Sequence, residues 1–432
     1  MGLRFGRRVL GVIIFMAVAG VLLAHFPSDA PAVAYAQNAG ACPGQHRDVS
    51  LPLTDLGPAN YRRMDGQTTE FTGGLYPDGS NVRPPVHEAA GQALAAHIVP
   101  RGPDGTEDSA NGRIVLISLG MSNTQSEFQN LMDRTHRNPE VNPQLVLVNG
   151  ALGGQTADRW VDSNARAWQE AELRLTQQGV TPLQVQAAWV KQTLARGGPF
   201  PAKALELQAD LQAIVHNLHD HYPNLQIVFL SSRTRSYLYD RGLSPEPAAF
   251  ETGFSVKWLI QAQIEGDPAL NFDPGSGPVL APFLTWGPYL WIDGENPRSD
   301  GMTWTAQDLA EDCTHPSSEG NDKVGEMLLA FFLNDTLAAG WFGAAGSVPL
   351  EAVVITPTHP AVEVAPAQPT VTPPPPEPAE LAPSPSVEAP APPVSGVPSS
   401  ASIDRRVQIA LLVGVVILGL FVLLVVVRRR GN

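Results

Sequence analysis

The run Ile114-Val115-Leu116-Ile117-Ser118-Leu119-Gly120-Met121-Ser122-Asn123-Thr124 decides the fold. Its first six residues are almost continuously apolar, the pattern of a strand buried on both faces, as parallel strands are. A glycine ends the run, and helix-like residues follow from about 124 to 135. Three further short apolar runs repeat the pattern at Leu145–Val148, Val185–Val190 and Leu225–Leu230. Helical stretches lie between and after them. One runs from about Ala157 to Gln177 and carries Trp160, Ala167 and Trp168. Another, Ala202–His221, has Leu205, Leu211, Val215 and Leu218 as its apolar face, and a last one spans about 317–334. Strands alternating with helices predict an α/β fold with a parallel sheet covered on both sides. Ligands in such folds sit at the carboxyl ends of the strands, so the residues just after each run are the ones to search.

Four such places carry polar residues. Ser122 follows the first strand and precedes a helix, where its hydroxyl is exposed and helix N–H groups face an anion; serine or asparagine there also serves as an ordinary helix cap. Asn149-Gly150-Ala151-Leu152-Gly153-Gly154-Gln155-Thr156 follows the second strand, and its glycines let backbone approach a ligand or simply turn the chain. Gln192 follows the third strand, with a side-chain amide able to donate to an oxyanion. Before the last helix stands Asp312-Cys313-Thr314-His315-Pro316-Ser317. A carboxylate three residues from an imidazole can fix its orientation and stabilise its protonated form.

Taken together, in the order serine, glycine, amide and Asp-x-x-His, these sites resemble the SGNH (GDSL-like) hydrolase superfamily over about 113–335. The chain looks like a divergent, bacterial-type, membrane-anchored member. The resemblance implies a flavodoxin-like three-layer α/β/α sandwich. It implies Ser122 as nucleophile, His315 as general base and Asp312 as its orienting partner. The oxyanion hole would be formed by the Ser122 backbone N–H, Gly154 and the Gln192 amide, with Asn123 as the alternative amide. Two departures are visible: Met121 stands where the family usually has Asp, and Gln192 replaces the Asn of its Gly-x-Asn-Asp block. Gln is one methylene longer but carries the same donor.

The stretch 232–304 reads as an elaboration on this core. Arg233, at the end of the fourth strand, is a candidate for binding a substrate carboxylate, or for pairing with Glu246 or Glu251. Trp286, Tyr289 and Trp291 suit a sugar ring or an aromatic acyl group, and equally suit a second small core. Residues 43–110, rich in Gly, Pro and Asp, read as mostly irregular apart from a helix over His87–Ile98.

The ends of the chain read as topology rather than fold. A basic start, an apolar run Val9–Ala24 and Ala34-Tyr35-Ala36 have the layout of a secretory signal peptide over 1–36; an uncleaved anchor is the alternative. Val407–Val427 holds 21 residues without a charge, enough to span a bilayer. Arg428-Arg429-Arg430 open a basic tail, 428–432, expected to stay cytoplasmic. Between 351 and 400 lie 15 prolines and no Lys, Arg or aromatic residue, so this segment is expected to be a disordered stalk. One globular domain over 43–345 remains, expected outside the cell membrane and tethered by the C-terminal helix. Export also favours a Cys42–Cys313 disulfide over two free thiols.

The whole chain carries a net charge of -14, and residues 37–350 alone carry -15. No nucleic-acid partner is expected of so acidic a domain. No phosphate loop, dinucleotide fingerprint or metal cluster stands out, so no cofactor and no metal are expected. Function therefore reads as a serine esterase acting through an acyl-enzyme on a small-molecule or carbohydrate ester, with a short acyl group such as acetyl. Two other readings use the same cleft: an O-acyltransferase with the same triad, and a non-catalytic surface binding module.

Overall fold

The computed structural model of the chain describes residues 42–195 and 198–344. The expected signal peptide, stalk, membrane helix and basic tail lie outside the described residues. No described helix is long and apolar enough to cross a membrane.

Five parallel strands form the central sheet: β3 (Ile114–Gly120), β4 (Leu145–Asn149), β5 (Val185–Lys191), β6 (Ile227–Ser231) and β7 (Phe283–Trp286). Their spatial order is β4-β3-β5-β6-β7, and every pairing is parallel. Numbered within the sheet this is 2-1-3-4-5, the doubly wound flavodoxin-like order, whose reversal point lies beside the first strand. A small antiparallel hairpin, β1 (Asn60–Arg62) and β2 (Thr68–Thr72), precedes the sheet in a region expected to be irregular.

Strand alternation sends two sets of side chains to two cores. Val115, Ile117, Val190, Val228 and Leu230 pack with helices α3 (Arg166–Gln177), α4 (Ala202–His221) and α5 (Ala248–Ile264). Leu116, Trp189, Ile227 and Phe229 pack on the other face with α1 (Pro85–Ala95), α2 (Ser122–Thr135) and α6 (Ser318–Asn334). Helices on both faces of one parallel sheet make the three layers.

Three sequence expectations need correction. The helix expected from Ala157 is a single 3-10 turn, Ala157–Arg159, and α3 begins only at Arg166. Asp162 ends the first piece: its side chain accepts from Asn164 N at 2.9 Å and its carbonyl from Ala165 N at 2.9 Å, a local turn that competes with the helix. The region 232–304 is no appendage, because it supplies α5 and the fifth strand β7. The trio Trp286, Tyr289 and Trp291 is not a binding surface. These rings are 2%, 5% and 0% exposed, and their polar ends are used internally. Trp286 Nε1 donates to Leu75 O, Trp291 Nε1 donates to Glu246 Oε1, and Tyr289 OH accepts from Leu53 N.

Candidate active site

At the carboxyl end of β3 the chain turns sharply into α2. A side chain at position 120 would meet Thr124 Oγ1 at 2.2 Å and the Lys191 carbonyl at 2.4 Å, so only glycine lets β3 and β5 stay this close. Met121 is extended and buried, and Ser122 is the first residue of α2, 9% exposed. The first N–H groups of a helix have no intrahelical acceptor and carry the positive end of its dipole. A negative charge developing on the oxygen of an acyl carbon under attack by Ser122 Oγ would therefore lie beside favourable dipoles.

The opposite wall is the loop before α6. Ser317 caps that helix, its hydroxyl accepting from Gly320 N at 3.2 Å. Asp312 Oδ1 accepts from the backbone N–H of Thr314 at 3.0 Å and of His315 at 2.9 Å. Its Oδ2 lies 2.5 Å from His315 Nδ1. An ionised carboxylate only accepts, so Nδ1 carries the proton and Nε2 is left as an acceptor. Nε2 faces Ser122 Oγ at 2.7 Å. Partial burial pushes the Asp312 carboxyl up, but the bonds from the His315 ring and from the His315 and Thr314 N–H groups outweigh it. The result is a carboxyl held down at about 2.

Three things brace this loop. A disulfide joins Cys313 to Cys42 across 271 residues of sequence. The Cys313 carbonyl accepts from Ser236 Oγ at 3.2 Å and Tyr237 N at 3.3 Å. Asn123 Nδ2 donates to Thr314 O at 2.8 Å. Cys313 itself adopts a left-handed φ of 56°, a conformation that costs energy for a non-glycine residue and persists only where surroundings impose it.

The candidate oxyanion donors differ in availability. Asn123 gives one of its two amide N–H groups to the Thr314 carbonyl. Gln192 is 3% exposed, and neither amide atom has a hydrogen-bond partner among the described residues. Gly154 has a φ of 75° and open space around it. Its loop crosses the strand ends, with Leu152 N donating to Gly120 O at 3.0 Å and Ala157 N donating to Thr193 O at 3.0 Å. Arg233 is 1% exposed, so it lies beneath the site rather than at an open mouth. Burial pulls its guanidinium below the usual range, opposed by Glu127, Glu246 and Asp312.

A cavity of about 500 Å³ opens on the same side, lined by Gly198, Tyr239, Asp240, Arg241, Gly242, Pro245 and the residues up to Ala248. The Cβ position of Gly242 is 3.8 Å from Thr314 Oγ1, so this cavity adjoins the Asp-His loop. Glu246 stands out in the sequence only as a possible partner of Arg233, and no motif marks these residues as a cavity lining. Elsewhere His46, Asp48 and Asp293 come within 4.8 Å of one another. Asp293 is already held by Arg235, Val49 N and Asn296, so it is a poor metal ligand.

No family model matches the chain, and no curated protein does. Among solved structures, one from Bacteroides fragilis, provisionally assigned as an acylhydrolase, aligns over 57% of this chain and 95% of its own. Its identity is 13% and its TM-score 0.30. The periplasmic domain of a lipopolysaccharide acetyltransferase from Salmonella ser. Paratyphi A aligns over 56% and 94%, at 11% identity and a TM-score of 0.27. Likenesses this distant carry nothing about substrate or reaction.

Proposed function

We propose that the protein is a serine-dependent enzyme of the SGNH type that cleaves acyl esters through an acyl-enzyme. One observation carries this reading: the Ser122–His315–Asp312 chain of hydrogen bonds, set at a helix N-terminus on the carboxyl edge of a doubly wound sheet. Ser122 Oγ attacks the acyl carbonyl while His315 Nε2 takes its proton. The carbonyl oxygen becomes negative and is met by the α2 N–H groups, the Gln192 amide and the Gly154 N–H. The C–O bond to the alcohol breaks as His315 returns the proton to the leaving oxygen. Water then repeats the sequence and frees Ser122. The substrate we favour is a short-chain acyl ester, such as an O-acetyl group on a carbohydrate, met outside the cell membrane by a domain anchored through residues 407–427.

The test uses the purified full chain with a chromogenic acetyl ester and a fluorophosphonate probe. Hydrolysis and labelling that both vanish in Ser122→Ala support the reading. A wild-type chain that neither turns over nor takes the label would falsify it, leaving a surface binding module. Acyl transfer to an added sugar in preference to water would identify a transferase.

A further inference from the structure

Lys191 is the last residue of β5, and Glu127 lies on α2, five residues beyond Ser122. Both side chains are 0% exposed. The Lys191 ammonium donates to both oxygens of the Glu127 carboxylate. Desolvating two charges costs several kcal/mol per ion, and apolar side chains of similar volume commonly stabilise a core as well or better. Stability alone therefore gives no reason for the pair.

Its surroundings supply one. Thr124 Oγ1, in the first turn of α2, donates to the Lys191 carbonyl at 2.8 Å. Gly120 is in close contact with the same carbonyl. The turn that carries Ser122 therefore leans on Lys191 through its backbone and through its ammonium. Arg233 lies on the same buried side. Its Nε and Nη1 have no hydrogen-bond partner among the described residues, and Glu127 is the acid that acts on it most strongly. One carboxylate on the nucleophile's helix thus answers cations from the ends of two neighbouring strands.

We propose that the buried Lys191–Glu127 pair is a positioning device for the nucleophile, locking α2 onto β5 so that Ser122 Oγ stays within proton-transfer distance of His315 Nε2. This rests on the reading of Ser122 as the nucleophile. The histidine is oriented by Asp312, and Asn123, beside the serine on α2, ties the same loop to α2 through the Thr314 carbonyl. What the Asn123 bond leaves open is how α2 sits on the sheet, and that is where the ion pair acts. An ion pair is directional where apolar packing is not, so it fixes the rotation of α2 about its axis as well as its distance from the sheet.

Lys191→Met cuts the tether and leaves the buried Glu127 carboxylate with only the more distant charge of Arg233. Thr124→Val removes only the second tie. In the full chain, Lys191→Met is expected to lower kcat and the rate of fluorophosphonate labelling by about tenfold or more, since small misplacements of reacting atoms cost that much. KM should stay within about twofold, and the thermal midpoint should fall, because one partner of a buried pair is removed. Thr124→Val should lose about threefold in kcat, and Lys191→Arg should recover part of the loss of Lys191→Met. Folded Lys191→Met and Thr124→Val variants with kcat and labelling rates near wild type would overturn the proposal. If Lys191→Met does not fold, Glu127→Gln, which loses the ion pair and keeps a side-chain acceptor for Lys191, decides by the same criterion. If the wild type itself is inert, the enzyme reading falls first. The pair is then judged by a crystal structure of Lys191→Met or, if that does not fold, of Glu127→Gln: a Ser122–His315 separation still near 2.7 Å overturns it, and one beyond about 3.5 Å supports it.

Discussion

At the scale of single residues, the triad and its surroundings make different demands. Ser122→Ala or His315→Ala should remove at least about 10³-fold in kcat/KM, and Asp312→Asn about 10²–10⁴-fold, because the amide presents the wrong partner to Nδ1. Steady-state rates on an acetyl ester check all three. Gln192→Ala should lower kcat by about 10²-fold with little change in KM, as expected for a donor used only in the transition state. An unchanged kcat would leave Gly154 and the α2 N–H groups as the oxyanion donors. Gly120→Ala should give insoluble or inactive protein, since its methyl would sit 2.4 Å from the Lys191 carbonyl. Ser122, His315 and Asp312 were legible because they follow or precede elements whose patterns are plain, and chemistry in this fold collects at those joints. Trp286, Tyr289 and Trp291 misled because composition cannot tell an aromatic that faces a ligand from one that plugs a core. Here hydrogen bonds to Leu75, Leu53 and Glu246 decide it.

At the scale of elements, strands β3, β5 and β6 were easy to find and α5 was not, for one physical reason. A buried parallel strand is a short, unbroken apolar word. A helix buried on most sides has no polar stripe, and α5 buries twelve of its residues, Glu251 and Lys257 among them. Its 3.6-residue periodicity is therefore erased. Strand β7 is only four residues long, and prolines at 278, 282 and 288 flank it, so it reads as a loop. The buried charges of α5 give a test. Burial pushes the Glu251 carboxyl up to about 7, against the hydrogen bond donated by Tyr61 at 3.1 Å. An unfolded glutamate titrates near ~4.3, so between these values the folded chain binds more protons than the unfolded one. Stability must then fall as pH rises through that window. Glu251→Gln keeps the acceptor and loses the charge. Its thermal midpoint should match wild type near pH 4 and exceed it by a few degrees at pH 8. Parallel melting curves across the whole range would mean that Glu251 does not titrate there.

At the scale of the whole molecule, one covalent bond reaches from the first described residue to the catalytic loop. Breaking it in Cys42→Ser should cost about 3–5 kcal/mol, because a very long loop of unfolded chain is set free, and chemical denaturation would measure it. Activity should fall with it, because Cys313 sits between Asp312 and His315 in a conformation its neighbours must impose. Full activity in a folded Cys42→Ser variant would show that the hydrogen bonds from Ser236, Tyr237 and Asn123 hold the loop without the disulfide. The bond also makes a closed ring of the chain from Cys42 to Cys313, with nucleophile, oxyanion loop and acid inside its circumference. A protease that nicks the exposed turn at Asp240–Arg241 opens this ring without dividing the molecule, since the two ends of the cut remain linked through sulfur. Fragments would separate on a reducing gel and run as one band without reductant, and the nicked protein could keep its triad assembled.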